Sequence, residues 1–261
     1  MAETARDDAI TILHLSDLHF GRIAPQAVGL LAARIAAEPP DIIVISGDLS
    51  QAGRRHEFQE AAAFLKTLSV PVLVVPGNHD VPARNLWGRF TTPYRRYRIA
   101  IADELMPSLD VGGVRLVGVN SARPMVRHWN WANGRVSTRQ LLELDKLFAD
   151  PGGETARVLV IHHPPIPPPD ATVETRVENI ARLLDRLPAW RVDLVLSGHL
   201  HEAFDYSREI RCRSGSQRAV RFVGAGTALS TRLRRSGRGA NRIRIGSAGI
   251  DVEPLLLDDA G

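Results

Sequence analysis

Side chains that bind transition metals recur in five short stretches of this 261-residue chain: Asp17-Leu18-His19, Gly47-Asp48, Gly77-Asn78-His79-Asp80, His162-His163 and Gly198-His199-Leu200-His201. A set of imidazoles and carboxylates without thiolate suits Mn, Fe, Zn or Co better than Ca or Mg. Asp17 and His19 stand two apart, so in extended chain they would share a face and both reach one ion. His199 and His201 repeat that spacing, and Gly198 lets the backbone approach closely. Asp48 has two oxygens able to bridge two cations, and Asn78 adds a neutral amide oxygen. Either of the adjacent His162 and His163 can serve as a further donor. Each stretch alone has an ordinary explanation, such as a turn, an Asx motif or a core histidine. Their ordered occurrence points to one site holding a pair of metal ions.

The elements that must position these donors are legible as apolar runs. Residues 10–15, 42–46, 72–75, 158–161 and 194–197 each read as a buried strand running directly into one of the stretches. In open α/β sheets, functional groups gather outside the carboxyl ends of the strands. Helical patterns over 26–37 and 54–68 separate the first three runs, which implies βαβ units and a largely parallel sheet. Residues 84–106 interleave Trp87, Phe90, Tyr94 and Tyr97 with arginines, which predicts a helix packing its aromatics on the core. Asp110-Val111-Gly112-Gly113-Val114 reads as a hairpin turn before a strand over 115–119. An irregular stretch over 120–135 follows, and loops that long are more often functional than idle. Helix returns over 137–148, capped by Ser137, and again near 173–187 after the proline-rich loop 164–169. Beyond His201 the pattern changes to short alternating segments such as 218–223 and 242–245, which suggests antiparallel strands. One domain over 1–261 is expected, with an Arg-rich antiparallel portion at about 202–254.

Composition narrows the class. Hydrophobic content of 44% and charged content of 24% are ordinary for a globular protein. No apolar run approaches the roughly 18 residues that span a bilayer. The opening residues 1–8 are acidic and lead straight into the first strand, unlike a signal peptide, so a cytoplasmic protein is expected. Cys212 is the only cysteine, which excludes an internal disulfide and any cysteine-based zinc motif. Lys66 and Lys146 are the only lysines, so the net charge of +4 is built almost wholly on arginine. A GC-rich genome would produce that bias along the whole chain, and arginine's planar fork also suits phosphate.

Taken in order, Asp17-x-His19, Gly47-Asp48, Gly77-Asn78-His79-Asp80, His162-His163-Pro164 and Gly198-His199-x-His201 resemble the calcineurin-like metallophosphoesterase superfamily. Within it, His162-His163-Pro164-Pro165 and Ser46-Gly47-Asp48-Leu49-Ser50 are most similar to bacterial class III cyclic nucleotide phosphodiesterases and glycerophosphodiesterases. The resemblance implies a four-layer αββα sandwich of two mixed β-sheets flanked by helices. It implies that Asp17, His19, Asp48 and His201 hold one metal, and that Asp48, Asn78, His162 and His199 hold a second, the pair being Mn, Fe or Zn. The usual His-x-Pro pattern of the superfamily favours His162 over His163. The activity implied is hydrolysis of small or nucleotide-like phosphodiesters, 3′,5′-cyclic nucleotides among them. Two cations about 3.5–4 Å apart clamp the phosphoryl group and provide a bridging hydroxide for in-line attack. His79, next to Asn78, is then expected to protonate the leaving alkoxide, with Asp80 orienting it or pinning its loop.

Two other readings compete. One is a phospholipid or sugar-lipid phosphoesterase working at a membrane surface. The other is a metal-free interaction scaffold on the same fold. A nucleic-acid substrate is not expected, because the tail is short for a separate DNA-capping domain, and no feature specifies an oligomeric state. His14 reads as a core residue and His56 as a helix-face residue. Arg22 is a candidate for touching phosphate, and His128 for meeting substrate. Trp129 and Trp131 either stack on a nucleobase or anchor their own loop. The arginines between 208 and 244 read as a solvated strand face or as a surface for an anionic partner.

Overall fold

The computed structural model describes residues 9–125, 132–149, 153–171, 175–234 and 237–258. The first half alternates β1 (Ile10–Leu15), α1 (Pro25–Ala37), β2 (Ile42–Ile45), α2 (Arg55–Leu65) and β3 (Val72–Val74). Two short helices, α3 (Leu86–Thr91) and α4 (Arg95–Ala100), lead to the hairpin of β4 (Ser108–Val111) and β5 (Val114–Val119). Next come β6 (Gly134–Arg135), α5 (Thr138–Leu147), β7 (Ala156–Ile161), β8 (Val177–Glu178), α6 (Ile180–Leu184) and β9 (Leu194–Ser197). Long strands close the chain: β10 (Phe204–Arg211), β11 (Gln217–Gly224), β12 (Gly239–Gly246) and β13 (Gly249–Leu256).

The strands form a five-stranded sheet, β13-β12-β1-β2-β3, and a six-stranded sheet, β10-β11-β9-β7-β5-β4, beside the small β6-β8 pair. Both large sheets are mixed. β1, β2 and β3 run parallel, with β12 antiparallel to β1. β5, β7, β9 and β11 run parallel, with β4 and β10 antiparallel at the edges.

Successive strand residues point to opposite faces, and here both faces are buried. Ile12, Val44, Leu73, Leu116, Val158, Leu196 and Ile243 meet between the two sheets. Their neighbours Leu13, Ile43 and Ile45 face outward against Leu31 of α1 and Phe58 of α2. Val117, Leu159 and Val195 face outward on the other side, against Leu141 and Leu144 of α5 and Leu183 of α6. The order is therefore helix, sheet, sheet, helix: the expected αββα sandwich of two mixed sheets. Among the described residues, no helix is long and apolar enough to cross a membrane.

Local chemistry explains the boundaries. Pro25 starts α1, where its missing N–H costs nothing. Gly112 (φ 52°) and Gly113 (φ 79°) supply the two positive φ angles of a tight hairpin. Ser137 and Gln140 cap α5 reciprocally, with Gln140 N donating to Ser137 Oγ and Ser137 N to Gln140 Oε1.

Two expectations of helix are corrected. The helix expected over 84–106 is two short helices, because Pro93 cannot donate and disfavours helical geometry at Thr92. Of its aromatics, Tyr97 is buried and donates to Val74 O at 3.2 Å, whereas Trp87 is 80% exposed and Phe90 51%. The helix expected near 173–187 shrinks to α6, preceded by β8 and by Asn179 in the left-handed region. In the C-terminal portion, Arg218, Arg221, Arg238 and Arg242 face Asp193, Asp205, Asp258 and Glu38 respectively, the pattern of a solvated, ion-paired face.

Candidate metal centre

All five stretches leave the carboxyl ends of β1, β2, β3, β7 and β9, and they meet at one end of the sandwich. The turns there are abrupt. Asp17, His19, Asp48, His199 and His201 all have φ between 51° and 70°. Such values are uncommon for non-glycine residues and collect at functional sites. The expectation that Asp17 and His19 share a face of extended chain is therefore wrong in mechanism. Each donor turns inward because its own residue is left-handed, held there by Asp17 N→Gly47 O and His19 N→Asp48 O, both 3.0 Å. Gly198 and Gly77 are required by packing. A Cβ on Gly198 would strike Ser16 Oγ, and one on Gly77 would strike Asp48 Oδ1.

Two donor groups result. Asp17, His19, Asp48 and His201 are buried with their ligand atoms within 4.8 Å of one another. His201 Nε2 lies 3.1 Å from both Asp17 Oδ1 and His19 Nε2. In the second group, Asn78 Oδ1 is 3.1 Å from His162 Nε2 and 3.0 Å from His199 Nδ1. Asp48 joins the two groups: its Oδ2 is 3.7 Å from His19 Nε2 and 3.5 Å from His162 Nε2.

The surroundings prepare these atoms to accept a cation. His162 Nδ1 faces Ser46 O at 2.8 Å and His201 Nδ1 faces Arg232 O at 3.3 Å, so both donate there and turn a lone pair inward from Nε2. Asp17 Oδ2 accepts from Ser16 Oγ at 2.6 Å and from His199 N at 2.9 Å. Its Oδ1, like His19 Nδ1, is buried without a hydrogen-bond partner. Buried lone pairs and carboxylates facing one another at these distances are costly unless a cation lies between them. The donor set therefore fits a metal pair.

The carboxylates and imidazoles of the site pull strongly on one another's charge. Burial alone would raise Asp17, but His201, His19 and His162 hold its carboxyl well below the usual range. Asp48 is likewise lowered, its desolvation outweighed by His162 and His79. His162 is desolvated too, yet Asp48 beside it pushes it up to about 9. Burial and the neighbouring His162 push His199 down to about 3.

The adjacent pair His162 and His163 is separated by geometry. A nitrogen of His163 lies within 4.8 Å of the donor nitrogens of His162 and His199, but its Nδ1 is 2.7 Å from Ser121 Oγ and its Nε2 2.9 Å from Ala132 O, both outside the donor group. Its ring meets that of His199 at a tilt of 46° with centroids 4.5 Å apart, and its contacts tie Ser121 and Ala132 to the end of β7. His79 sits at the rim, its Nδ1 donating to Gln51 O at 2.7 Å and its Nε2 3.4 Å from Arg232 Nη1. Asp80 does not orient His79. It pins the loop instead, accepting from Leu49 N, Ser50 N and Gly77 N, and burial with the Asp48 charge raises it to about 6. His14 is a core residue between Ser46 Oγ and Asn241 Nδ2. His56 lies exposed on α2 and Arg22 is exposed. His128, Trp129, Trp131 and Arg235 fall outside the described residues.

Sequence reasoning passed over Ser16 and Thr227, and took Arg232 only as one of the arginines between 208 and 244. Ser16 and Thr227 steady Asp17, through its Oδ2 and, at 2.6 Å, its carbonyl. No spacing signal marks any of the three.

The model of the family described as calcineurin-like phosphoesterase matches residues 10–203, a span containing both donor groups. Among curated relatives, a probable cyclic nucleotide phosphodiesterase of Synechococcus sp. is 26% identical over 227 residues, 80% of either chain. The glycerophosphodiester phosphodiesterase GpdQ of Enterobacter lignolyticus is 28% identical over 205 residues, 73% of this chain and 70% of that one. The 3′,5′-cyclic adenosine monophosphate phosphodiesterase CpdA of Pseudomonas aeruginosa is 28% identical over 233 residues, 84% and 80% of the two chains. Among solved structures, a purple acid phosphatase of yellow lupin superposes with a TM-score of 0.68 at 14% identity, over 98% of this chain and 53% of that one. A dimetal phosphatase from Danio rerio gives 0.65 at 14% identity, over 95% and 99%. At such identities the two structures speak for the fold alone.

Proposed function

The chain belongs to the calcineurin-like phosphoesterase family, and from that premise we propose that it is a two-metal phosphodiesterase acting on a small or nucleotide-like ester such as a 3′,5′-cyclic nucleotide. The observation that carries the reading is Asp48 Oδ2, placed between His19 Nε2 and His162 Nε2 so that one carboxylate serves both donor groups. The proposed ligands are Asp17, His19, Asp48 and His201 for one ion, and Asp48, Asn78, His162 and His199 for the other. His162 rather than His163 completes the second set, because both nitrogens of His163 face partners outside the donor group. When bound, a metal pair supplies Lewis-acid charge for the phosphoryl oxygens and an activated water.

The chain's own residues do the rest. Ser46 O and Arg232 O fix the tautomers of His162 and His201. Gln51 O fixes His79 with Nε2 toward the mouth, where it passes a proton to the leaving alkoxide. Asp80 holds the loop carrying Asn78 and His79 against β2. The names of the curated relatives favour diesters over monoesters. A cytoplasmic location is part of the proposal.

A lipid-headgroup diester is the second reading. It is favoured by Leu86, Trp87 and Phe90, which are 52%, 80% and 51% exposed on α3, just beyond the loop of Asn78 and His79. The test is a screen of cyclic nucleotides, glycerophosphodiesters, lipid diesters and monoesters against protein loaded separately with Mn, Fe, Zn and Co. Faster turnover of diesters is expected. Preference for monoesters, or no turnover by protein carrying both ions, would overturn the reading, and failure to bind metal at all would favour the scaffold.

A further inference from the structure

We propose that Arg232 grips the phosphate of the substrate through its guanidinium, as a cation supplied from beyond the residues that the family model matches. The inference deepens the phosphoesterase reading and rests on it. The family match ends at residue 203, whereas Arg232 follows β11 in the C-terminal portion.

The backbone that carries Arg232 is fastened to the metal centre. Ala225 N donates to Ser197 O at 2.9 Å and Ala228 N to Ser16 O at 3.1 Å. Ile23 and Ser230 form an antiparallel bridge, and Thr231 N donates to Arg22 O at 3.1 Å. Arg232 N donates to Ser230 Oγ at 3.0 Å, and Arg232 O accepts from His201 Nδ1. Main chain so tethered leaves the side chain little choice of direction. It reaches back across the site, with Nη1 3.4 Å from His79 Nε2.

Among the described residues, no carboxylate lies within ion-pair distance of Arg232, in contrast to Arg218, Arg221, Arg238 and Arg242. The Nη1 contact with His79 Nε2 engages at most one N–H of the fork. The remaining N–H groups of the fork are free for the oxygens of a tetrahedral anion. A half-buried guanidinium beside the group that faces the leaving oxygen is placed to bind phosphate.

Its effect should grow along the reaction. Hydrolysis forms one P–O bond to the oxygen of water and breaks one P–O ester bond, and the departing alkoxide takes up a proton. The two oxygens that neither attack nor leave gain charge on the way. A fixed cation on them therefore favours the transition state over the singly charged diester.

The test uses full-length protein loaded with Mn, comparing R232A and R232K with R234A, whose side chain is exposed. Metal content is measured first, then the Kd of inorganic phosphate by calorimetry, then kcat and KM for bis-nitrophenyl phosphate. R232A should keep both ions, weaken phosphate by roughly 10–100-fold and lose more in kcat than in KM. R232K should recover part of the loss, because a point charge lacks the planar fork. R234A should stay within about twofold of wild type, a margin well below the effect of one charged hydrogen bond. Should R232A lose metal, R232K alone decides. Phosphate affinity in the metal-replete variant equal to wild type would overturn the assignment, as would an equal loss in R234A. Turnover of diesters with an indifferent Arg232 leaves the phosphodiesterase reading intact. Phosphate binding that depends on Arg232, in protein that hydrolyses no diester, removes that reading and leaves this one.

Discussion

Asp48→Asn should weaken both metal sites at once, because one carboxylate oxygen faces both. Asp48 Oδ1 accepts from His79 N at 2.8 Å, while Oδ2 faces His19 Nε2 and His162 Nε2 at 3.7 and 3.5 Å. An asparagine there must turn its amide oxygen to the His79 N–H, since the opposite flip would set donor against donor. The NH2 group then points at both imidazole lone pairs, where a cation cannot be held. Removing one partner of a buried charge pair costs about 3–5 kcal/mol. At about 1.4 kcal/mol per decade, each ion loses roughly 10²–10⁴-fold in affinity. Asp17→Asn is the control. Asp17 Oδ2 is fastened by Ser16 Oγ and His199 N, and its Oδ1 reaches only the group containing His201, so it should weaken one ion. Metal content after dialysis, with calorimetric titration of each variant, separates the two. Retention of both ions by Asp48→Asn at wild-type affinity would refute the bridging role, and so would an equal loss from Asp17→Asn.

Three further outcomes are expected. His79→Ala should keep fold and metals but lose turnover by roughly 10²–10⁴-fold on alkyl diesters, and much less on esters with a nitrophenolate leaving group that needs no proton; equal losses on both would assign His79 a positioning role. Changing Trp129 and Trp131 together to Ala should raise KM for a cyclic nucleotide by roughly 5–150-fold, the worth of a stacked base, and leave bis-nitrophenyl phosphate unchanged; parallel losses with a lower Tm would make them loop anchors. Burial pushes His14 down to about 3 from an ordinary 6.5, so between those values the unfolded chain binds the extra proton and stability falls as pH drops. Its share is up to about 1.4 kcal/mol per pH unit, and urea unfolding of metal-stripped wild type and His14→Gln should differ in slope across that window; matching slopes would rule it out.

The chain's order of donors and apolar runs was enough to place Asp17, Asp48, Asn78, His162 and His199 after strands, and to name the family and its sandwich. That much is local. Strand periodicity, donor type and the glycines beside them are written residue by residue. The sequence did not announce how the donors converge. His19 and His201 lie 182 positions apart, and only the sheet order brings their nitrogens to 3.1 Å. The left-handed turns at Asp17, His19 and His201 carry no glycine to advertise them, and without them the side chains would not point inward. His162 and His163 are equivalent as text and differ only because Ser46 O meets one while Ser121 and Ala132 meet the other. Pro93 marked a break that the aromatic pattern concealed. Arg232 was one arginine among many until β11 and the bridge at Ser230 carried it back over His79. Residue type sets what a side chain can do, and the long-range pairing of strands, which no short window of sequence contains, decides which side chains do it together.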